Sequence, residues 1–251
     1  MAAQGLHVPR EYRRGGKAND EDNSVESGVE LIDLMCRRLE LPDLGNSAVL
    51  DFGCGVKLVQ AILADELPLG RYTGIDVFPE QISFLRENVE DARFEFHALN
   101  LHNEMYNPEG EPLSAATQLP VPEASMDIIC LFSVFTHLAP HDYVAMLKML
   151  RRYIKPDGRL IFSLFLYETT PGGLGFIDHV SRHLKPTEEQ IANWQGPPDF
   201  RDWDPQQPLK WAVYSREHAL RLVQGSGWQI ESLNDPEPSI QHYMICRPVL
   251  T

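Results

Sequence analysis

Two hydrophobic periods alternate along the chain, and together they predict a regular series of strands and helices. The predicted strands are the short apolar runs 48–52, 72–76, 93–97, 127–132 and 159–165. The predicted helices, with apolar residues at helical spacing, are 25–41, 57–67, 79–89, 139–154 and a later one capped by Ser215. Two strand candidates, 228–233 and 241–247, end the series. This alternation predicts an α/β fold with a doubly wound, mostly parallel sheet, and ligand binding beyond the carboxyl ends of its strands.

Composition limits the possible functions. The 251 residues and a hydrophobic content of 43% fit one domain with a sizeable core. A net charge of −14 argues against nucleic acid as a partner, because an acidic surface repels a polyanion. The four cysteines are too few and scattered for a disulfide scaffold, and no apolar stretch is long enough to cross a membrane. We therefore expect a cytoplasmic protein with no membrane partner.

The chain divides into an N-terminal arm and one domain. Residues 1–23 combine basic residues, a Gly-Gly pair and an acidic run, which fits either a mobile solvated tail or a flap that orders over a bound ligand. Residues 24–251 form the predicted domain. Within it, residues 168–210 are too long for an ordinary connection and are expected to form a lid-like insertion on the substrate side, before the last helix-strand unit.

The strongest chemical signal is a glycine turn followed by an acid. Gly53 and Gly55 lie between a predicted strand and a helix, where glycine lets a ligand approach the backbone. Asp76 ends the next strand, where its carboxylate can accept hydrogen bonds from ribose hydroxyls. A nicotinamide cofactor would use the same physics, but its glycine fingerprint requires glycine at the position of Leu58. The pattern therefore favours another adenosyl ligand.

The motifs VLDFGCG, YTGIDVFPEQISFLREN, DIICLFSVFTHL and LRRYIKPDGRLIF together resemble those of class I S-adenosylmethionine-dependent methyltransferases. The resemblance covers roughly residues 25–250. It implies a Rossmann-like sheet of seven strands whose last strand is antiparallel. It also implies S-adenosyl-L-methionine as cofactor and S-adenosyl-L-homocysteine as product.

The resemblance assigns a set of cofactor contacts, with the glycine turn beside the methionine portion, Asp76 on the ribose and Asn100 facing the adenine amino group. The residues assigned to the cofactor are Asp51, Gly53, Cys54, Gly55, Asp76, Val77, Asn100, Leu101, Phe132 and Ser133. One departure is Lys57, where many relatives have glycine. It is either a solvated lysine, a contact for a carboxylate, or a sign that catalysis has been lost.

Two histidines beyond the fourth strand are the candidate catalytic residues. Methyl transfer is an in-line displacement, so a base is needed only if the nucleophile must lose a proton. His137 is the first candidate for that base and also a candidate substrate contact, and His141 is the second. The alternative for His137 is a histidine that anchors its loop through a backbone hydrogen bond.

Aromatic residues suggest an apolar or aromatic substrate. The candidate substrate contacts besides His137 are Tyr106, Trp194, Trp203 and Trp211. The tryptophans could equally attach an irregular insertion to the body of the domain. His179 and His183 have a spacing that can bind a metal, but no third ligand is evident and we expect no metal site.

These observations predict a methyltransferase that acts on a small-molecule acceptor, with an oxygen acceptor favoured over nitrogen or carbon. The protein is expected to be a monomer or a homodimer. Two alternatives remain: a non-catalytic S-adenosylmethionine-binding module or partner subunit, and an NAD-dependent oxidoreductase.

Overall fold

The structure is a computed structural model that describes residues 5–13, 21–183, 199–203, 206–237 and 239–250. Its helices are α1 (Glu21–Arg38), α2 (Lys57–Ala64), α3 (Pro79–Asn88), α4 (Pro140–Leu150), α5 (Phe176–His183) and α6 (Arg216–Val223). Its strands are β1 (Leu44–Phe52), β2 (Leu69–Asp76), β3 (Phe94–Ala98), β4 (Met126–Leu131), β5 (Ile154–Leu166), β6 (Phe200–Asp202), β7 (Ala212–Tyr214), β8 (Trp228–Asn234) and β9 (His242–Pro248). Short 3₁₀ helices cover Arg10–Tyr12 and Phe135–His137.

The α/β class and the mostly parallel sheet are confirmed. The first five strands lie in the order β3-β2-β1-β4-β5 and all run parallel. β9 pairs antiparallel with β5, and β8 pairs antiparallel with β9. The crossovers between the parallel strands place the carboxyl ends of β1, β2 and β4 at one edge, where ligands bind in such sheets.

The predicted strand number is corrected from seven to nine within the described residues. The two additional strands are short: β7 pairs parallel with the last residues of β5, and β6 pairs antiparallel with β7. Both come from the end of the long segment after β5, whose turn residues did not indicate strands. They lie beside the carboxyl end of β5.

The boundary between α4 and β5 also differs from the prediction. The helix ends at Leu150, and the strand begins at Ile154, before the proline and glycine that were expected to separate them. Ile154 pairs with Met126 and Arg159 pairs with Ile128, so the intervening residues form an irregularity inside β5. An ion pair of 2.7 Å between Lys155 Nζ and Asp127 Oδ1 holds this irregularity against β4.

Both faces of the sheet are covered, as the apolar strands predict. One core contains the buried residues of α4 and α6, including Leu147 and Val223, and the other contains those of α1, α2 and α3, including Met35, Val59 and Ile82. The second core also contains Leu6 and Val8 from the N-terminal arm. Among the described residues, no helix has the length and apolar content needed to cross a membrane.

Candidate active site

The turn from β1 to α2 requires glycine at two positions. Gly53 has φ +74° and Gly55 has φ +50°, both in the left-handed region that other residues rarely adopt. A Cβ on Gly53 would lie 2.4 Å from Val134 Cγ2. Around the corresponding position on Gly55, no atom of the described residues lies within 4 Å. The turn is therefore packed on one side and open on the side of Gly55.

Asp76 links this turn to the end of β2. Its Oδ2 accepts a hydrogen bond of 2.9 Å from the Gly55 amide, and its Oδ1 accepts one of 3.1 Å from the Phe78 amide. The residue is 9% exposed. The carboxylate is thus held in one orientation by two backbone donors.

Asp51 and Cys54 point into the core. Asp51 is buried, and its Oδ2 accepts a hydrogen bond of 2.6 Å from the Tyr72 hydroxyl. Burial raises the pKa of Asp51 to about 7, although hydrogen bonds from Tyr72 and Cys130 oppose this shift. Burial also raises the pKa of the Cys54 thiol. Direct contact of these two side chains with a cofactor remains a prediction, whereas their backbone forms part of the turn.

The region after β3 carries the residues expected beside adenine. Asn100 is exposed and its Oδ1 accepts a hydrogen bond of 3.1 Å from Asn107, whereas Leu101 is buried in the core. Tyr106 stacks on Phe78 with ring centroids 5.9 Å apart and an interplanar angle of 27°. Tyr106, expected as a substrate contact, therefore lies next to the residues that follow Asp76. Val77 is partly buried against the core.

Ser133 lies beyond the end of β4 in a strained conformation, with φ +60°. Its amide donates a hydrogen bond of 2.8 Å to Ser163 Oγ, and its hydroxyl accepts one of 2.8 Å from Gln241 Nε2. Phe132 packs edge-on against Tyr243, the residue after His242. Gln241 is a site residue that was not predicted, because its only signal in the sequence is its position at the start of a predicted strand.

The two candidate histidines have different environments. His137 is partly buried, and its Nδ1 donates a hydrogen bond of 3.1 Å to the carbonyl of Leu209. Burial lowers its pKa, an effect opposed by the carbonyls of Leu209 and Lys210. Because a carbonyl only accepts, Nδ1 carries the proton and the neutral ring keeps a lone pair on Nε2. The side chain of His141 is 81% exposed at the start of α4.

Comparisons with known proteins agree with this geometry. Residues 50–162 match the family model described as a methyltransferase domain. A malonyl-[acyl-carrier protein] O-methyltransferase from Acetivibrio thermocellus is 23% identical over 158 residues, which cover 58% of this chain and 55% of that protein. The chain thus aligns with only about half of the length of this curated relative.

Solved structures show the same fold. A methyltransferase from Aquifex aeolicus has a TM-score of 0.54 and 18% identity, covering 92% of this chain and 99% of that chain. One from Mesorhizobium loti has a TM-score of 0.55 and 15% identity, covering 91% of this chain and 100% of that chain. Human N-acetylserotonin methyltransferase, solved with S-adenosylmethionine, has a TM-score of 0.51 and 15% identity, covering 97% of this chain and 61% of that chain.

Residues 50–162 are thus similar to a methyltransferase domain, and the fold is the one found in class I S-adenosylmethionine-dependent methyltransferases. The cofactor of this class fits the residues present. Gly55 leaves space where a side chain would intrude, and the oriented carboxylate of Asp76 can accept hydrogen bonds from hydroxyl groups. The expected seven-strand arrangement is also recognisable within the sheet, as β3-β2-β1-β4-β5-β9-β8.

The segment that follows β5 has its own small core. Trp203 is 7% exposed and contacts Phe176 edge-on, with ring centroids 5.3 Å apart. Trp211 is partly buried against the same cluster, and Lys210 Nζ lies 4.7 Å from the centroid of its ring. Trp203 therefore attaches the segment after β5 to that strand, while Trp211 keeps an accessible surface. Trp194 lies outside the described residues.

A partly buried charge network, not foreseen from the sequence, lies at the same end of the sheet. Glu168 forms two-point hydrogen bonds with Arg216, and His242 Nε2, which is fully buried, lies 3.1 Å from Glu168 Oε1. Asp235 lies 3.8 Å from the same guanidinium group. Three of these residues could ligate a metal by distance alone, but the arginine already occupies the carboxylate. The rings of His179 and His183 lie side by side along α5, with centroids 4.7 Å apart and their planes tilted by 43°.

Proposed function

We propose that this protein is an enzyme that transfers the methyl group of S-adenosylmethionine to an oxygen atom of a small apolar or aromatic acceptor. The observation that carries the proposal is the hydrogen bond between Gly55 and Asp76, which joins the two cofactor motifs into one site at the carboxyl edge of the sheet. When bound, the cofactor supplies an electrophilic methyl group on a positively charged sulfur.

The chain's own residues would bind and orient the reactants. Asp76 would accept hydrogen bonds from the ribose hydroxyls, and the open side of Gly55 would admit the amino-acid portion of the cofactor. Ser133, beyond the end of β4, and Gln241, directly before β9, would line the floor next to the reacting centre. Such positioning supplies much of the rate enhancement of a displacement reaction.

Two observations support an oxygen acceptor. The neutral His137 ring carries its proton on Nδ1, so Nε2 could remove a proton from a phenol or alcohol. The relative from A. thermocellus is named as an O-methyltransferase of malonyl-[acyl-carrier protein]. The accessible face of Trp211 supports an apolar or aromatic acceptor, to which it could contribute stacking area.

The test has a binding step and a turnover step. Calorimetry with S-adenosylhomocysteine and NAD should give binding of the first and none of the second; the reverse result would contradict the proposal. Turnover is then followed as S-adenosylhomocysteine release with phenols, apolar carboxylic acids, a malonyl thioester and matched amines. Methylation of the oxygen compounds is expected. Cofactor binding without any turnover would indicate a non-catalytic module, and methylation of amines alone would contradict the choice of oxygen.

A further inference from the structure

The N-terminal segment, residues 5–13, packs against the helices that begin at the two cofactor turns. Leu6 is 7% exposed and Val8 is fully buried, and both belong to the core shared with α2 and α3. Arg13 Nε donates a hydrogen bond of 2.7 Å to the Val8 carbonyl, which closes the segment into a compact turn. The segment is therefore an integral part of this face of the domain.

Two buried glutamines bind the main chain of this segment. Gln60 on α2 donates a hydrogen bond of 3.3 Å from Nε2 to the Leu6 carbonyl. Gln81 on α3 donates one of 3.1 Å to the Tyr12 carbonyl. They are 1% and 3% exposed, and a buried amide is costly unless it is hydrogen-bonded. Both cofactor-side helices therefore carry a polar side chain that holds the segment in place.

The segment also places an aromatic ring beside the second cofactor turn. The ring of Tyr12 lies 5.9 Å from that of Phe78, edge-on at 62°, and 5.1 Å from that of Phe84. Phe78 stacks on its other side with Tyr106, and its amide donates to Asp76. The three rings Tyr12, Phe78 and Tyr106 form a row next to the carboxylate expected to hold the ribose.

We propose that the docked N-terminal segment is part of the cofactor site, with Tyr12 as a positioning residue that holds Phe78 in place beside the adenine ring. This inference rests on the proposed function. Removing the Tyr12 ring would free Phe78 on one side and loosen the wall on which adenine packs. By linkage, a ligand that binds only when the segment is docked must also stabilise the docked segment.

The first test compares S-adenosylhomocysteine binding by calorimetry in wild type, Tyr12→Ala and Tyr12→Phe. We expect Tyr12→Ala to weaken binding by about fivefold to tenfold, the size of a lost aromatic pair, through faster dissociation. Tyr12→Phe keeps the ring and should bind as wild type does. Ile230→Ala, on β8 and distant in the sheet order, controls for general destabilisation and should leave affinity unchanged.

The second test uses trypsin, which cleaves after Arg10 and Arg13 when the segment undocks. Saturating S-adenosylhomocysteine should slow this cleavage several-fold in wild type and much less in Tyr12→Ala, as followed by mass spectrometry. Two results would overturn this inference alone. One is that wild type and Tyr12→Ala bind S-adenosylhomocysteine equally tightly. The other is that the ligand binds to wild type but does not slow its cleavage by trypsin. A wild type that binds no S-adenosylhomocysteine would instead contradict the proposed function.

Discussion

The Oδ2 atom of Asp76 lies 2.9 Å from the backbone nitrogen of Gly55 and accepts its hydrogen bond. Asp76 is the last residue of β2 and Gly55 lies in the turn after β1, and these two strands are neighbours in the sheet. The acid is therefore oriented before any ligand binds, and the glycine turn is held open by it. A preorganised site of this kind spends less binding free energy on ordering its own groups.

Replacing Asp76 with asparagine tests this arrangement. The amide cannot accept from Gly55, Phe78 and two ribose hydroxyls at once, so we expect S-adenosylhomocysteine to bind more weakly by about 1–3 kcal/mol. Calorimetry gives the affinity, and the melting temperature checks folding. Asp65→Asn, at the exposed end of α2, is the matched control. Unchanged affinity in Asp76→Asn would mean that this carboxylate does not contact the cofactor.

Comparing alanine substitutions at Gly55 and Gly173 separates the effect of backbone strain from the effect of a side chain that fills cofactor space. Gly55→Ala and Gly173→Ala both place alanine at positive φ, and no atom of the described residues lies near either new Cβ. Each should destabilise the fold by a similar amount, about 1–2 kcal/mol. Only Gly55→Ala should abolish S-adenosylhomocysteine binding, because its methyl group would enter the cofactor space. Equal binding by the two variants would place the cofactor elsewhere.

The parts of the fold predicted from the sequence were those with strong local signals. The strand ending at Asp76, the proline that begins α3 and the Ser215 cap of α6, with its 3.1 Å bond to His218, all lie where the pattern indicated. β6 and β7 were missed because three-residue strands carry no period. The docking of residues 5–13 was left open because it depends on Gln60 and Gln81, which are distant in sequence.

In the candidate site, too, residues with a local sequence signal were predicted and those placed by long-range contacts were not. Gly53, Gly55 and Asp76 were identified because a turn and a strand end are readable from local sequence. Gln241 was not, because its approach to Ser133 depends on β9 lying beside β5, an arrangement of the whole sheet.

Trp203 and Trp211 should respond differently to substitution by alanine. Trp203 is buried among Phe176 and its neighbours, so Trp203→Ala should destabilise the protein by about 3–5 kcal/mol. Trp211 is only partly buried, so Trp211→Ala should cost less stability and mainly reduce acceptor turnover. Chemical denaturation and the acceptor panel measure the two effects. A stable Trp203→Ala variant with selective loss of turnover would reverse the two roles.

Glu168 should contribute stability that depends on pH. Burial alone would raise its pKa, but hydrogen bonds from His242 and Arg216 outweigh burial and lower it to about 2. Because the native pKa lies below the unfolded value of 4.5, the contribution is complete above pH 4.5 and is lost as the pH falls towards about 2.

The Glu168→Gln variant tests this contribution. At neutral pH it should lower the free energy of unfolding by about 1.5–3 kcal/mol, since it loses hydrogen bonds to charged groups. The difference from wild type should shrink through the stated pH range. Glu217→Gln, whose side chain is 83% exposed beside Arg221, is the control and should show almost no effect. A difference that does not change with pH would contradict this account.

The proposed base role of His137 predicts a particular pH profile. Burial lowers its pKa below the ordinary 6.5, so the ring stays neutral to lower pH than a solvated histidine. Its proton on Nδ1 is held by the Leu209 carbonyl. With a phenolic acceptor, kcat/KM should therefore stay level through pH 6.5 and fall only below it, and His137→Ala should lose about 10²- to 10⁴-fold in kcat. His141→Ala, which removes an exposed ring, should keep wild-type kinetics. A His137→Ala enzyme with full turnover across the pH range would show that no proton passes through this ring.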